Sequence, residues 1–179
     1  MSGLLYKPKY ANSDKILNLV ALIAARVDVL SIQSGIEKNL KLRRINRLRS
    51  IHSSLAIENN TLSFEQITAL YDGKNIIAPP QDICEARNAF EVYEKLLDFN
   101  PYDIMDLLCA HQILMKDLVK DAGQFRSGNI GIVREAEVVH IAPPADAVSG
   151  LIADLILWTK ETTAHALIKS CVFHYEFEI

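Results

Sequence analysis

The chain has 179 residues, half of them apolar, with 19 Lys and Arg against 22 Asp and Glu and a formal charge of −3. That length and apolar share suffice for one ordinary domain whose core needs neither disulfides nor a metal. The near balance of charge excludes a global attraction to nucleic acid or to an anionic membrane.

Residues 1–12 read as an irregular arm. Ser13 can cap a helix whose apolar face is Ile16, Leu19, Val20, Ile23, Val27 and Leu30, at helical spacing. The apolar run Ile16 to Ala25 is broken by Asn18 and followed by Arg26 and Asp28, well short of the ~20 residues of a membrane span. Asp14 stands where a secretion signal needs positive charge, so a cytoplasmic protein is expected. A second helix spans about Leu40 to Glu58, with Leu42, Ile45, Leu48 and Leu55 on one stripe. Ser63 with Gln66 forms a capping box for a short helix that Asp72-Gly73-Lys74 closes. Pro79-Pro80 forces an extended connection. Asp82 with Glu85 is read as a further capping box, opening a helix through Phe90, Tyr93 and Leu97.

Asn100-Pro101 is read as a cap followed by proline at the first helical position, starting a helix that runs through Leu118 and stops near Gly123. Two short β-branched runs, Ile130–Val133 and Val138–Ile141, flank Arg134-Glu135-Ala136 and predict one hairpin. Ala145 to Lys160 is helical again, with Val148, Leu151, Leu155 and Trp158 inward. The last segment, Ala164 to Ile179, keeps a helical stripe and ends without a cap, a basic last turn or a following proline. A truncated chain is therefore expected. The fold class is mainly α, a helical bundle with one small hairpin.

Chemistry-bearing patterns are sparse. Cys84, Cys109 and Cys171 are odd in number and far apart within apolar runs, so they read as buried, reduced thiols. No Walker-type loop occurs, and the glycines between Gly123 and Gly131 read as a turn before the hairpin. No two histidines have the i,i+4 zinc spacing. Glu176 and Glu178 are read as diverging from His174, so no metal site is expected. Lys41, Arg43, Arg44, Arg47 and Arg49 read as a solvated basic face with surface ion pairs. Ser54 and Glu58 stand one helical turn apart near a helix end where Asn59 or Asn60 can take the left-handed cap. On spacing alone this is a polar helix edge.

Ser54-Leu55-Ala56-Ile57-Glu58-Asn59 resembles the inhibitory-helix motif of Fic proteins, Ser/Thr-x-x-x-Glu-Gly/Asn, in the class that carries it before the catalytic core. Similar Fic-like text stands in Leu42 to Arg47, Glu85 to Phe90, Gly123 to Arg126, Val139 to Pro144 and Cys171 to Phe177, so the resemblance covers about residues 13–179. It implies an N-terminal helical region with the inhibitory helix over 1–60 and a Fic core over 61–179. The implied activity is AMP transfer from ATP to a protein hydroxyl. In that family His-Pro-Phe-x-Asp/Glu-Gly-Asn-Gly-Arg-x-x-Arg follows at once, supplying base, phosphate-holding turn, magnesium ligand and arginines. No such motif occurs among the 179 residues, and nothing after His174 matches it.

The resemblance makes Glu58 the inhibitory carboxylate, braced by Ser54 and followed by Asn59 at the motif's last position. It makes Ile132, Val133, Val138, Val139 and His140 the flap that clamps a target segment by strand addition. ATP and magnesium are expected for an intact member, with neither held productively by these residues. Expected partners are a protein target at the flap and a second copy in a homodimer, with no nucleic acid or membrane. A further helix would pack on residues 164–179, so self-association is expected. The alternative is a non-catalytic binding or regulatory module acting through the flap edge or dimerisation.

Overall fold

The computed structural model describes residues 6–34, 40–134 and 137–178. In chain order these hold α1 (Asp14–Ser34), α2 (Leu40–Ile57), α3 (Phe64–Tyr71), α4 (Pro80–Lys95), α5 (Ile104–Leu114), β1 (Gly131–Arg134), β2 (Glu137–Ile141), α6 (Ala145–Glu161) and α7 (Ala166–Glu178). The fold is mainly α with one antiparallel hairpin, as the sequence predicts.

The core gathers where α2, α3 and α4 meet. Leu48, Leu62, Ile67, Leu70 and Ala86 are buried together, with Leu55, Phe64, Tyr71, Ile83 and Phe90 packed around them. Burying an aliphatic side chain of this size is worth about 1.5–3 kcal/mol, so this three-helix unit carries much of the stability. Ser63 opens α3 with both halves of the predicted capping box: its Oγ accepts from Gln66 N at 3.2 Å, and its own N donates to Gln66 Oε1 at 2.9 Å. The α2 stripe turns outward at Leu42 and instead includes Ile51, which is fully buried. The basic side of α2 is solvated, and Arg44 both pairs with Asp72 and lies 5.5 Å over the Tyr71 ring.

Helices α4 and α5 depart from the expected boundaries. Helix α4 starts at Pro80, not at an Asp82 cap, because proline suits the first helical position and leaves no amide to satisfy. Helix α5 starts at Ile104, capped by Asp103, whose Oδ1 accepts from Met105 N at 2.8 Å. Asn100 instead closes a turn, its Oδ1 accepting from Tyr102 N at 3.0 Å. The same helix ends at Leu114, and Asp117 beyond it takes a left-handed conformation at φ 61°.

Helix α5 is tied to its neighbours by polar groups. Asn88 of α4, itself buried, donates from Nδ2 to the Leu114 carbonyl at 3.1 Å and the Lys116 carbonyl at 2.7 Å. The first is an orphan acceptor at the helix end and the second lies just beyond it, and a buried amide needs such partners. Gly123 N donates to His111 Nδ1 at 2.9 Å, with Gly123 at φ 79°. A Cβ there would lie 2.7 Å from the Gln112 Cβ, so only glycine fits.

The remaining helices form a looser layer. Leu155, Ile156 and Trp158 of α6 and Ile168 of α7 are buried. The apolar face of α1 is open: Ile16, Leu19 and Ile23 stay 39–46% exposed and border a cleft of about 310 Å³ facing Leu167, Cys171 and Val172 of α7. The thiols are free, but Cys109 and Cys171 are exposed rather than buried, because α5 and α7 present those sides to solvent. His174 and Glu178 stand 3.8 Å apart, correcting the expectation that they diverge; residues four apart share a helix face.

The arm preceding α1 is seated on α6 and α7. Pro8 is buried, Tyr10 meets Trp158 edge-on at 6.1 Å, and the Tyr6 hydroxyl donates to Glu176 Oε2. Burial and the adjacent Glu176 carboxylate push the Tyr6 hydroxyl up to about 12. Since the protonated phenol is the bonded form, this contact contributes its full stability below pH ~10 and loses it as pH rises through about 12. Absorbance at 295 nm should show a late-titrating tyrosine near pH 12 that disappears in Tyr6→Phe. A Tyr6→Phe titration indistinguishable from the parent would contradict this seating.

Candidate functional site

The motif at the end of α2 is built from helix-termination geometry. Asn60 N donates to the Leu55 carbonyl at 3.0 Å and Asn59 N to the Ala56 carbonyl at 3.2 Å, with Asn59 at φ 65°. Those two bonds around a left-handed residue are the Schellman stop. Asn59 tolerates the conformation because its short amide side chain lowers the cost that β-branched residues meet there. Of the two asparagines, it is therefore Asn59 that takes the cap.

Ser54 and Glu58 sit immediately before this stop, both exposed. Among the described residues neither side chain has a hydrogen-bond partner, so the expected bracing of Glu58 by Ser54 is not made in this conformation. Beyond the stop the chain is held tightly. Asn60 Nδ2 donates to Glu85 Oε2 at 2.8 Å and to the Asp82 carbonyl at 3.1 Å. Thr61 donates to Asp82 Oδ2 from its backbone N at 2.9 Å and from its hydroxyl. The Thr61 hydroxyl and amide beside it hold the Asp82 carboxyl below the usual carboxylate range. Asp82 thus serves the preceding loop instead of capping α4.

The second group of expected site residues lies on the hairpin. Backbone pairing sets Gly131 opposite Ile141, Ile132 opposite His140, Val133 opposite Val138 and Arg134 opposite Glu137. The register passes over Val139, which forms a bulge that sharpens the local twist. Among the described residues the sheet has only these two strands, so each has an outer edge with unpaired backbone groups. The Ser54–Asn59 group and the hairpin are carried by separate parts of the fold, α2 packing on α3 and α4.

One residue at the hairpin's root has a role the sequence did not reveal. Arg126 donates from Nη1 to the Gly128 carbonyl at 3.0 Å and from Nη2 to the Pro143 carbonyl, tying together the segments that enter and leave the hairpin. Asn129 Oδ1 accepts from Ala145 N at 2.9 Å, which fixes the first turn of α6 to the same root. Beside it opens a largely apolar cavity of about 740 Å³ bounded by Leu107, His111, Arg126, Ile130, Ile152 and Phe177. Among the described residues no three His, Cys, Asp or Glu side chains gather as a metal site. No helix of the described residues is long and apolar enough to cross a membrane.

The Fic/DOC family model matches residues 101–179, from the turn before α5 to the end of α7. The backbone superposes on a Fic family protein from Desulfovibrio desulfuricans G20 with a TM-score of 0.89 and 47% identity, over 97% of this chain and 53% of that one. The chain belongs to the Fic/DOC family. It spans about half the length of the Desulfovibrio relative. No curated protein matches it. Because the Fic likeness runs over nearly the whole chain, α1 to α4, which lie outside the family-model match, belong to the shared architecture too.

Proposed function

We propose that this chain serves the transfer of AMP from ATP to a protein hydroxyl, as the portion that regulates the reaction and holds the target. Glu58 is the inhibitory carboxylate, with Ser54 and Asn59 completing its motif, and the hairpin presents Ile132, Val133, Val138, Val139 and His140 to an extended target segment. The observation that carries this reading is the helix end at Asn59: the left-handed position falls where the Fic motif has Gly or Asn, one residue after an exposed glutamate.

Nucleotidyl transfer is chiefly positioning and charge stabilisation around the phosphates. A carboxylate that competes for the arginine holding the γ-phosphate therefore suffices as a switch. Three free thiols support a reducing, cytoplasmic setting.

Incubated with labelled ATP, magnesium and cell lysate, the 179-residue chain should transfer no AMP, since loss of even one charge-stabilising group typically costs ~10²–10³ in rate. Incorporation by this chain that persists after Glu58→Ala would overturn that expectation. In a protein of this sequence that also carries the His-Pro-Phe motif, Glu58→Ala should raise transfer by about 5- to 150-fold; unchanged transfer would sink the inhibitory assignment. The two unpaired hairpin edges also favour a second reading, a binding module without catalysis, which predicts target capture with no effect of Glu58 on any transfer.

A further inference from the structure

We propose that Asn60 and Asp82 are positioning residues for Glu58, clasping the end of α2 to the first turn of α4; this rests on Glu58 being the inhibitory carboxylate. Glu58 has no partner of its own among the described residues, so its place is inherited from the backbone that follows it. The residues from Ala56 through Asn59 are exposed, and this helix end would fray at little cost if nothing held it.

The clasp supplies what the helix end lacks. Two successive residues, Asn60 and Thr61, send four hydrogen bonds into one turn of α4, to the Asp82 carbonyl, the Asp82 carboxylate twice and the Glu85 carboxylate. Asn60 Oδ1 also accepts from Leu62 N at 3.1 Å, and Leu62 is buried in the α2–α3–α4 core. The receiving carboxylates are themselves in place beforehand. Asp82 lies in the first turn of α4, where the helix dipole favours negative charge, and Glu85 Oε1 accepts from Gln81 Nε2 at 3.0 Å. Glu58 therefore moves only when the first turn of α4 moves, or when the clasp opens.

Residue-resolved amide hydrogen exchange on the full 179-residue chain tests this. Asn60→Ala and Asp82→Ala should each speed exchange at the Asn59 and Asn60 amides by about tenfold, as expected when a charge-assisted bond holding a local opening is lost. Amides of α6 and α7 should keep their rates. Asp82→Asn retains an oxygen acceptor for Thr61 and should restore most of the protection, which a general loss of stability would not allow. Glu58→Ala should leave these amides unchanged, so the clasp is judged separately from the inhibitory assignment. Exchange unchanged at Asn59 and Asn60 in both alanine variants would overturn the proposal, as would acceleration spread evenly through every helix, or an Asp82→Asn variant no better protected than Asp82→Ala.

Discussion

Replacing Ile67 by alanine should destabilise the chain by about 2–5 kcal/mol, the range for truncating a fully buried aliphatic side chain. Ile67 has no exposed surface and sits among Leu48 of α2, Leu62, Leu70 of α3 and Ala86 of α4, so its removal leaves a cavity at the junction of three helices. For a domain of this size each kcal/mol lowers the melting temperature by about 2–4 °C, giving a fall of roughly 5–20 °C by circular dichroism. Ile57 and Ile77, at 79% and 98% exposure, provide the comparison. Alanine at either should change stability by no more than about 0.5 kcal/mol. A melting temperature that barely moves for Ile67→Ala would mean that the three-helix junction is not the stabilising core. The loss has a second reading, because the same junction orients the helix that carries Glu58.

The purified chain should also associate with itself. A folded monomer of 20.1 kDa ordinarily exposes about 8,700 Å², whereas this chain exposes 13531 Å². The excess has visible sources. No residue of α5 is fully buried, although the helix is predominantly apolar. Leu97 is 92% and Met105 69% exposed. A cleft of about 460 Å³ bordered by Leu96, Phe99, Leu107, Ile156 and Phe173 lies beside them. Exposed apolar surface on this scale favours association. Sedimentation velocity should therefore show a coefficient that rises with concentration, and Leu97→Lys with Met105→Glu should shift the distribution toward monomer. A single monomeric species at high concentration would contradict the expectation.

How far the sequence could be read depended on whether a pattern had one physical solution. Ser63 and Gln66 had one, and both halves of the capping box form. Asn59 had one as well, since few residues other than Gly, Asn and Asp accept its backbone conformation. The Asp82–Glu85 pair had two. The preceding Pro80 already starts the helix, which frees both carboxylates to reach Asn60 and Thr61 more than twenty positions earlier. Such a long-range use leaves no local spacing to detect. Arg126 was equally silent, because its acceptors are the backbone carbonyls of Gly128 and Pro143, and carbonyls are the same in every sequence. The apolar stripe of α1 was legible as a stripe, but periodicity says which residues share a face and not what lies opposite.

The root of the hairpin has a mechanical consequence. With both legs of the hairpin tied to the single guanidinium of Arg126, the legs cannot be prised apart at their base one at a time. A load applied along either outer edge is delivered to one post, and Asn129 passes it on to the first turn of α6. The hairpin is thus fastened at its base, by Arg126 across its two legs and by Asn129 to the first turn of α6.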